Sequence, residues 1–335
     1  MIWGNDQHGT VNDGAVLKNV LVQYCYAKGH HDNSDAQGGT IRTNGGGRTR
    51  MFLDNCEIRY NLSGNPNYGG YGGGIYWNAS GKPETRITLK NNTRIHHNTA
   101  ILSSSYTDPE TGNTVQGRSW GGGIMIESRM TIESAQIYAN QSKLGGGIYL
   151  CTYGGAAEQF EGNGFDLTVT DGVYITENVA TEAGGGVYMS INKSNDIGFD
   201  PSGTPISPEF KLDVQGGEIS GNCAPLGAGV AIVDIAPLRH YNTHQYYGST
   251  PDPSYHKWSL EYRRNAYIRG GYIKNNYTTQ SVNATKGAGI YIMKANDPAL
   301  DQMGQFEYTY AEDGGWNFIC PYNHGAPASV WPTAM

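Results

Sequence analysis

The residues best equipped for chemistry in this 335-residue chain crowd into one stretch, from 240 to 264. It holds Tyr241, Tyr246, Tyr247, Tyr255, Trp258 and Tyr262, with His240, His244 and His256 among them. Rigid rings with polar tips suit stacking on sugars or anchoring a protein partner. The plainer reading is that they cover the outside of the fold that carries them. His240 and His244 would share one face of a helix, as a metal-binding pair does, but Gly248, Pro251 and Pro253 make the stretch a loop. No metal or other cofactor is expected.

Other candidates are thinner. A glycan lyase or hydrolase needs paired carboxylates or an acidic calcium cluster, often with Arg or Lys as base. Only Glu127 and Asp234 are acidic on the strands that follow the Gly-rich motifs, and they fall in non-adjacent repeats. No catalytic residue is assigned. His30-His31 and His96-His97 are neighbours whose side chains should leave a strand on opposite sides, so neither pair should converge. Sequons such as Asn140-Gln141-Ser142 coincide with a repeated Asn and carry no separate function.

What must position these residues is a repeat. Gly-Gly-Gly-aliphatic runs occur at Gly72 to Ile75, Gly121 to Ile124, Gly145 to Ile148 and Gly184 to Val187, with Gly73, Gly122, Gly146 and Gly185 in the middle. Gly227-Ala228-Gly229-Val230 and Gly287-Ala288-Gly289-Ile290 are variants, and Gly38-Gly39-Thr40-Ile41 is an earlier relative. A second motif, Ile-x-x-Asn, alternates strictly with the first and ends at Asn61, Asn98, Asn140, Asn178, Asn222 and Asn276. Short alternating runs precede it, for example Met130-Thr131-Ile132 and Leu167-Thr168-Val169. The period from Gly121 to Gly145 is 24 residues, enough for three short strands with tight turns.

A helix is excluded because each Gly costs about 1 kcal/mol there and the apolar spacing is that of a strand. With no helical segments between strands, a βαβ sheet is excluded too. The reading is an all-β, right-handed parallel β-helix of three strands per rung and about seven or eight rungs, each about 4.8 Å from the next. Gly belongs at one corner, where a side chain would strike the next rung, and Asn at another, where stacked amides satisfy turn backbone groups. The whole of 1–335 should form one domain, with 296–335 an irregular last rung or cap. Ile2-Trp3-Gly4-Asn5 is itself an Ile-x-x-Asn motif, so the chain is expected to be a fragment of a longer protein.

Composition narrows the partners. The 48 Gly are offset by 24 Tyr and 6 Trp, and only 16% of residues are charged, so the chain should fold. A net charge of -7 provides no basic stripe for nucleic acid. No window of about 18 apolar residues exists, so no membrane insertion is expected. The five cysteines are odd in number and widely spaced, which indicates neither disulfides nor a zinc site, and Cys25, Cys56 and Cys223 are expected to fill the stack as small residues.

The alternation of Gly-Gly-x-Ile with Ile-x-x-Asn, from about Gly38 to Ile292, resembles the repeat of the polymorphic outer-membrane-protein family, whose motifs are Gly-Gly-Ala-Ile and Phe-x-x-Asn. That resemblance implies a right-handed β-helix displayed on a bacterial surface, extracellular or on the outer face of the cell, and in some members an adhesin. This sequence uses Ile for Phe and carries no visible translocator. The long insertions after one strand (Cys151 to Gly164, Ile191 to Pro208, Asp234 to Arg264) should project along one edge as a binding surface for a glycan or a host protein. A carbohydrate-active enzyme using Glu127 or Asp234, and a purely structural stalk, are the alternatives.

Overall fold

The structure is a computed structural model, and it describes residues 14–28, 36–43, 50–64, 69–78, 86–101, 106–107, 114–115, 119–151, 165–190, 198–199, 205–206, 210–234, 264–278 and 287–294. One complete turn of the chain reads Arg129–Ile132, Ala135–Tyr138, Gln141–Leu144 and Ile148–Cys151. Each segment pairs in parallel with its counterparts in the neighbouring turns, giving four sheets that run the length of the stack. The molecule is a parallel β-helix of about seven rungs.

The side chains explain the register. Ile87, Met130, Leu167 and Leu212 are successive partners in the first sheet, as are Ile95, Ile137, Ile175 and Ile219 in the second. Ile75, Ile124, Ile148, Val187 and Val230 do the same in the fourth. All are at most 1% exposed. Like stacks on like inside the tube, and a slip of one residue would turn every one of these side chains to solvent.

A rung has four strands where the sequence pointed to three. The additional one joins the Asn motif to the Gly motif. In two turns it is continuous, Gln141–Leu144 and Val179–Ala183, but elsewhere insertions cut it into Leu62–Ser63 with Gly70–Tyr71, and Thr99–Ala100 with Ser119–Trp120. The longer insertions share a different corner. The chain leaves the fourth sheet at Asn78, Cys151, Ser190 and Asp234 and re-enters the first at Arg86, Phe165, Phe210 and Arg264.

Asparagines make the bend after the second sheet. Asn140 is fully buried. Its Nδ2 donates to Oδ1 of Asn178 at 3.0 Å and to the Ile95 carbonyl at 2.9 Å, while its Oδ1 accepts from the backbone N and Nδ2 of Asn98, both at 3.0 Å. All four amide valences are used. The pattern repeats through Asn61, Asn98, Asn178, Asn222 and Asn276. In the first described rung Cys25 occupies this position, donating its backbone N–H to Oδ1 of Asn61 at 2.9 Å.

The Gly motif abuts this ladder. Gly121 sits at φ +66, a left-handed turn into the fourth sheet. A Cβ on Gly122 would lie 2.4 Å from the Gly146 carbonyl oxygen, and one on Gly123 would lie 3.0 Å from Nδ2 of Asn140. Gly73, Gly146 and Gly185 meet the backbone of the next rung in the same way. Cys56 and Cys223 are buried free thiols, packing as small residues within the rungs.

Candidate binding face

With Ile of each Ile-x-x-Asn pointing inward, the residues on either side of it face out. Register places Leu21, Glu57, Arg94, Gln136, Tyr174, Glu218 and Tyr272 in one column along the second sheet. Gln23, Arg59, His96, Tyr138, Thr176, Ser220 and Lys274 form the next. The residue before each ladder Asn is left-handed, with φ 58 at Tyr24, 53 at Tyr60, 53 at His97 and 52 at Ala139. That conformation fits a sharp bend and swings the side chain round beside the outer columns.

The consequence is a correction. His96 and His97 were expected to diverge, as extended neighbours do. Instead their Nδ1 atoms are 2.7 Å apart, because His97 is not extended. Nε2 of His96 lies 3.1 Å from Oε1 of Glu57. A carboxylate can only accept, so His96 donates from Nε2 and accepts at Nδ1 from the Nδ1–H of His97. Glu57, His96 and His97 form a relay that ends in an exposed imidazole.

Glu57 is the hub. It also takes Nη1 of Arg59 at 2.7 Å and Nη2 of Arg94. Burial works to raise its pKa, but the His96 hydrogen bond and the Arg94 and Arg59 charges outweigh it and hold the carboxyl below its ordinary range. Burial pushes the His96 imidazole down, and the Glu57 hydrogen bond recovers only part of that. His96 is therefore neutral at pH 7, with its ring stacked 4.5 Å from Tyr138 at an interplanar angle of 8°. Burial raises the Tyr138 phenol against the pull of Arg94.

Aromatic rings flank the hub. Tyr24 and Tyr60 stack at 5.6 Å and 10°, and Tyr60 meets His97 at 5.0 Å. Tyr24 is 72% exposed and Tyr60 41%. Arg59 lies 5.7 Å from the centroid of the Tyr60 ring. Together these give an exposed aromatic edge at the bend that ends the second sheet, beside two guanidinium groups on that sheet that share one carboxylate.

The positions singled out in the sequence fare differently. Tyr241, Tyr246, Tyr247, Tyr255, Trp258 and Tyr262, with His240, His244 and His256, lie outside the described residues. Glu127 is 2% exposed and accepts the Tyr76 hydroxyl at 2.8 Å. Its register partner is the amide Asn78, and the carboxylate of Asp234 is three rungs away, about 14 Å at the usual spacing. Among the described residues no group of three His, Cys, Asp or Glu could hold a metal ion, and no helix is long and apolar enough to cross a membrane. The face around Glu57 was not foreseen, although the residue before each Ile and the two between Ile and Asn, once aligned, spell out its columns. Comparison with protein-family models, curated proteins and solved structures finds no match for the chain.

Proposed function

We propose that this chain is a non-catalytic solenoid exposed on a bacterial surface or secreted, which binds a glycan or a host surface protein in the manner of an adhesin. The observation that carries this reading is the stack of exposed Tyr24 and Tyr60 at the bend beside Arg59, with Arg94 joined to Arg59 through Glu57 on the adjoining sheet. Aromatic rings and arginine dominate binding energy at recognition surfaces, and a rigid support spares the ordering cost. The repeat's resemblance to the polymorphic outer-membrane proteins supports display outside the cell. The aromatic insertion with Tyr241, Tyr246, Tyr247, Tyr255, Trp258 and Tyr262 supplies a second contact region of the same chemistry.

The test is a glycan array and a cell-adhesion assay on the full chain, the variant Tyr24→Ala/Tyr60→Ala, and a deletion of 240–262. The double variant should bind at least about tenfold more weakly, the value of losing roughly 1.4 kcal/mol of stacking. Binding that the deletion abolishes and the double variant leaves untouched would move the site to the insertion. No binding to any glycan or cell surface would overturn the reading.

One observation favours a second reading. The Glu57, His96 and His97 relay backs an exposed imidazole with a carboxylate, an arrangement that serves a general base. A carbohydrate-active enzyme on this face would release unsaturated or reducing sugars from uronate polymers, and His97→Ala would abolish that release.

A further inference from the structure

The geometry points to the Glu57 hub as a site for an anionic sugar, whose carboxylate or sulfate is held by Arg59 and Arg94 while its ring packs on Tyr60 and Tyr24. This rests on the binding reading above and adds the class of ligand.

Charge comes first. Two guanidinium groups share the single ionised carboxylate of Glu57, which leaves one surplus positive charge. Hydrogen-bonding capacity comes next. An arginine has five N–H donors. Arg59 commits Nε to Oε1 of Gln23 at 2.8 Å and Nη1 to Glu57, and Arg94 commits Nη2 alone. The Arg94 side chain is 48% exposed, so its remaining donors face solvent on the outer side of the sheet. Glu57 already receives three donors and has little left to offer a ligand's hydroxyls. The cluster therefore favours an acceptor-rich, negatively charged group, which the planar guanidinium fork grips in two places.

The surroundings select a sugar among anions. Arg59 stands beside the Tyr60 ring, and the stacked pair Tyr24 and Tyr60 offers an exposed apolar edge next to the charge. A flat C–H face bearing an anion two bonds away satisfies both. The other acidic groups along the same columns do not cancel the site: Glu218 is engaged by Ser220 at 2.5 Å and Lys274 at 2.9 Å, and Glu177 stands two rungs beyond His97.

The test is isothermal titration of the full chain with four probes: oligogalacturonate for carboxylate, a heparin-derived oligosaccharide for sulfate, a neutral cello-oligosaccharide, and poly-glutamate. One or both acidic sugars should bind, and the better of them identifies the anion. Arg94→Gln should weaken that binding about tenfold or more, Arg94→Lys less, and salt should weaken it in wild type more than in Arg94→Gln. Because Arg59 also braces Gln23, Arg59→Gln is scored only after its thermal unfolding matches wild type. Neutral sugar bound as tightly as acidic sugar, or Arg94→Gln without effect, would overturn the anionic assignment while leaving the binding surface intact. Equal binding of poly-glutamate would show a general anion patch and also overturn it. Binding of no probe, with no response on a glycan array, would sink both.

Discussion

Asn140→Ala should be among the most damaging single changes available in this chain. Four hydrogen bonds disappear: Nδ2 to Asn178 Oδ1, Nδ2 to the Ile95 carbonyl, and the two donated to Oδ1 by Asn98. Asn140, Asn98 and Asn178 are all fully buried, so water does not replace what is lost. At about 1 kcal/mol per bond the loss is about 4 kcal/mol, and the Asn98 backbone N–H left unpaired pushes it higher. Asn276→Ala supplies the internal control, since its amide is only partly buried and solvent can replace its partners; it should cost about half as much or less. Urea unfolding followed by far-UV circular dichroism measures both. An Asn140→Ala midpoint equivalent to less than about 1 kcal/mol, or equal losses for the two variants, would refute the view that the amide ladder holds the bend.

Four further outcomes follow from the same geometry. Cys25→Asn should extend the ladder by one amide, giving Asn61 Oδ1, now reached only by the Cys25 N–H, a second donor, and should raise stability by up to about 1 kcal/mol in urea unfolding. Gly122→Ala places a methyl 2.4 Å from the Gly146 carbonyl and should cost about 3 kcal/mol, whereas Ala228→Gly, at the matching place in a rung built for Ala, should cost about 1 kcal/mol or less. Urea midpoints separate these two. Stability should fall with acid: His96 has its pKa below the ordinary 6.5, so its contribution is complete above that value and is lost as pH drops through the lower folded value. Glu57, depressed from 4.5, adds a second loss of the same sign further down; urea midpoints from pH 8 to about pH 2 should show both, and His96→Gln should remove the first.

The rungs were legible because their chemistry repeats. Gly122 cannot carry a side chain, Asn140 cannot lose its amide, and Ile137 cannot leave the interior, so each rung restates the same constraints in sequence. The fourth strand was not legible. Gln-Ser-Lys-Leu at 141–144 has no clean apolar alternation, and in other rungs insertions break its counterpart. The face around Glu57 was hidden for a related reason. Its residues are variable positions within and just before a motif recognised by its fixed ones, and neighbours such as Glu57 and Arg94 are 37 residues apart. His96 and His97 were misjudged because strand alternation assumes extended backbone. The left-handed turn at His97 recurs at Tyr60, Ala139 and Glu177, each just before a ladder Asn, so it belongs to the bend of the rung.

The central claim is that ligand binds on the outer face of the second sheet. Hydroxyl-radical footprinting of the full chain, with and without the tightest-binding oligosaccharide, tests it at side-chain resolution. Tyr24, Tyr60 and His97 should lose reactivity when ligand is present, with Tyr272 on the same sheet unchanged. Protection confined to 240–262, with Tyr24, Tyr60 and His97 as reactive as before, would contradict the account.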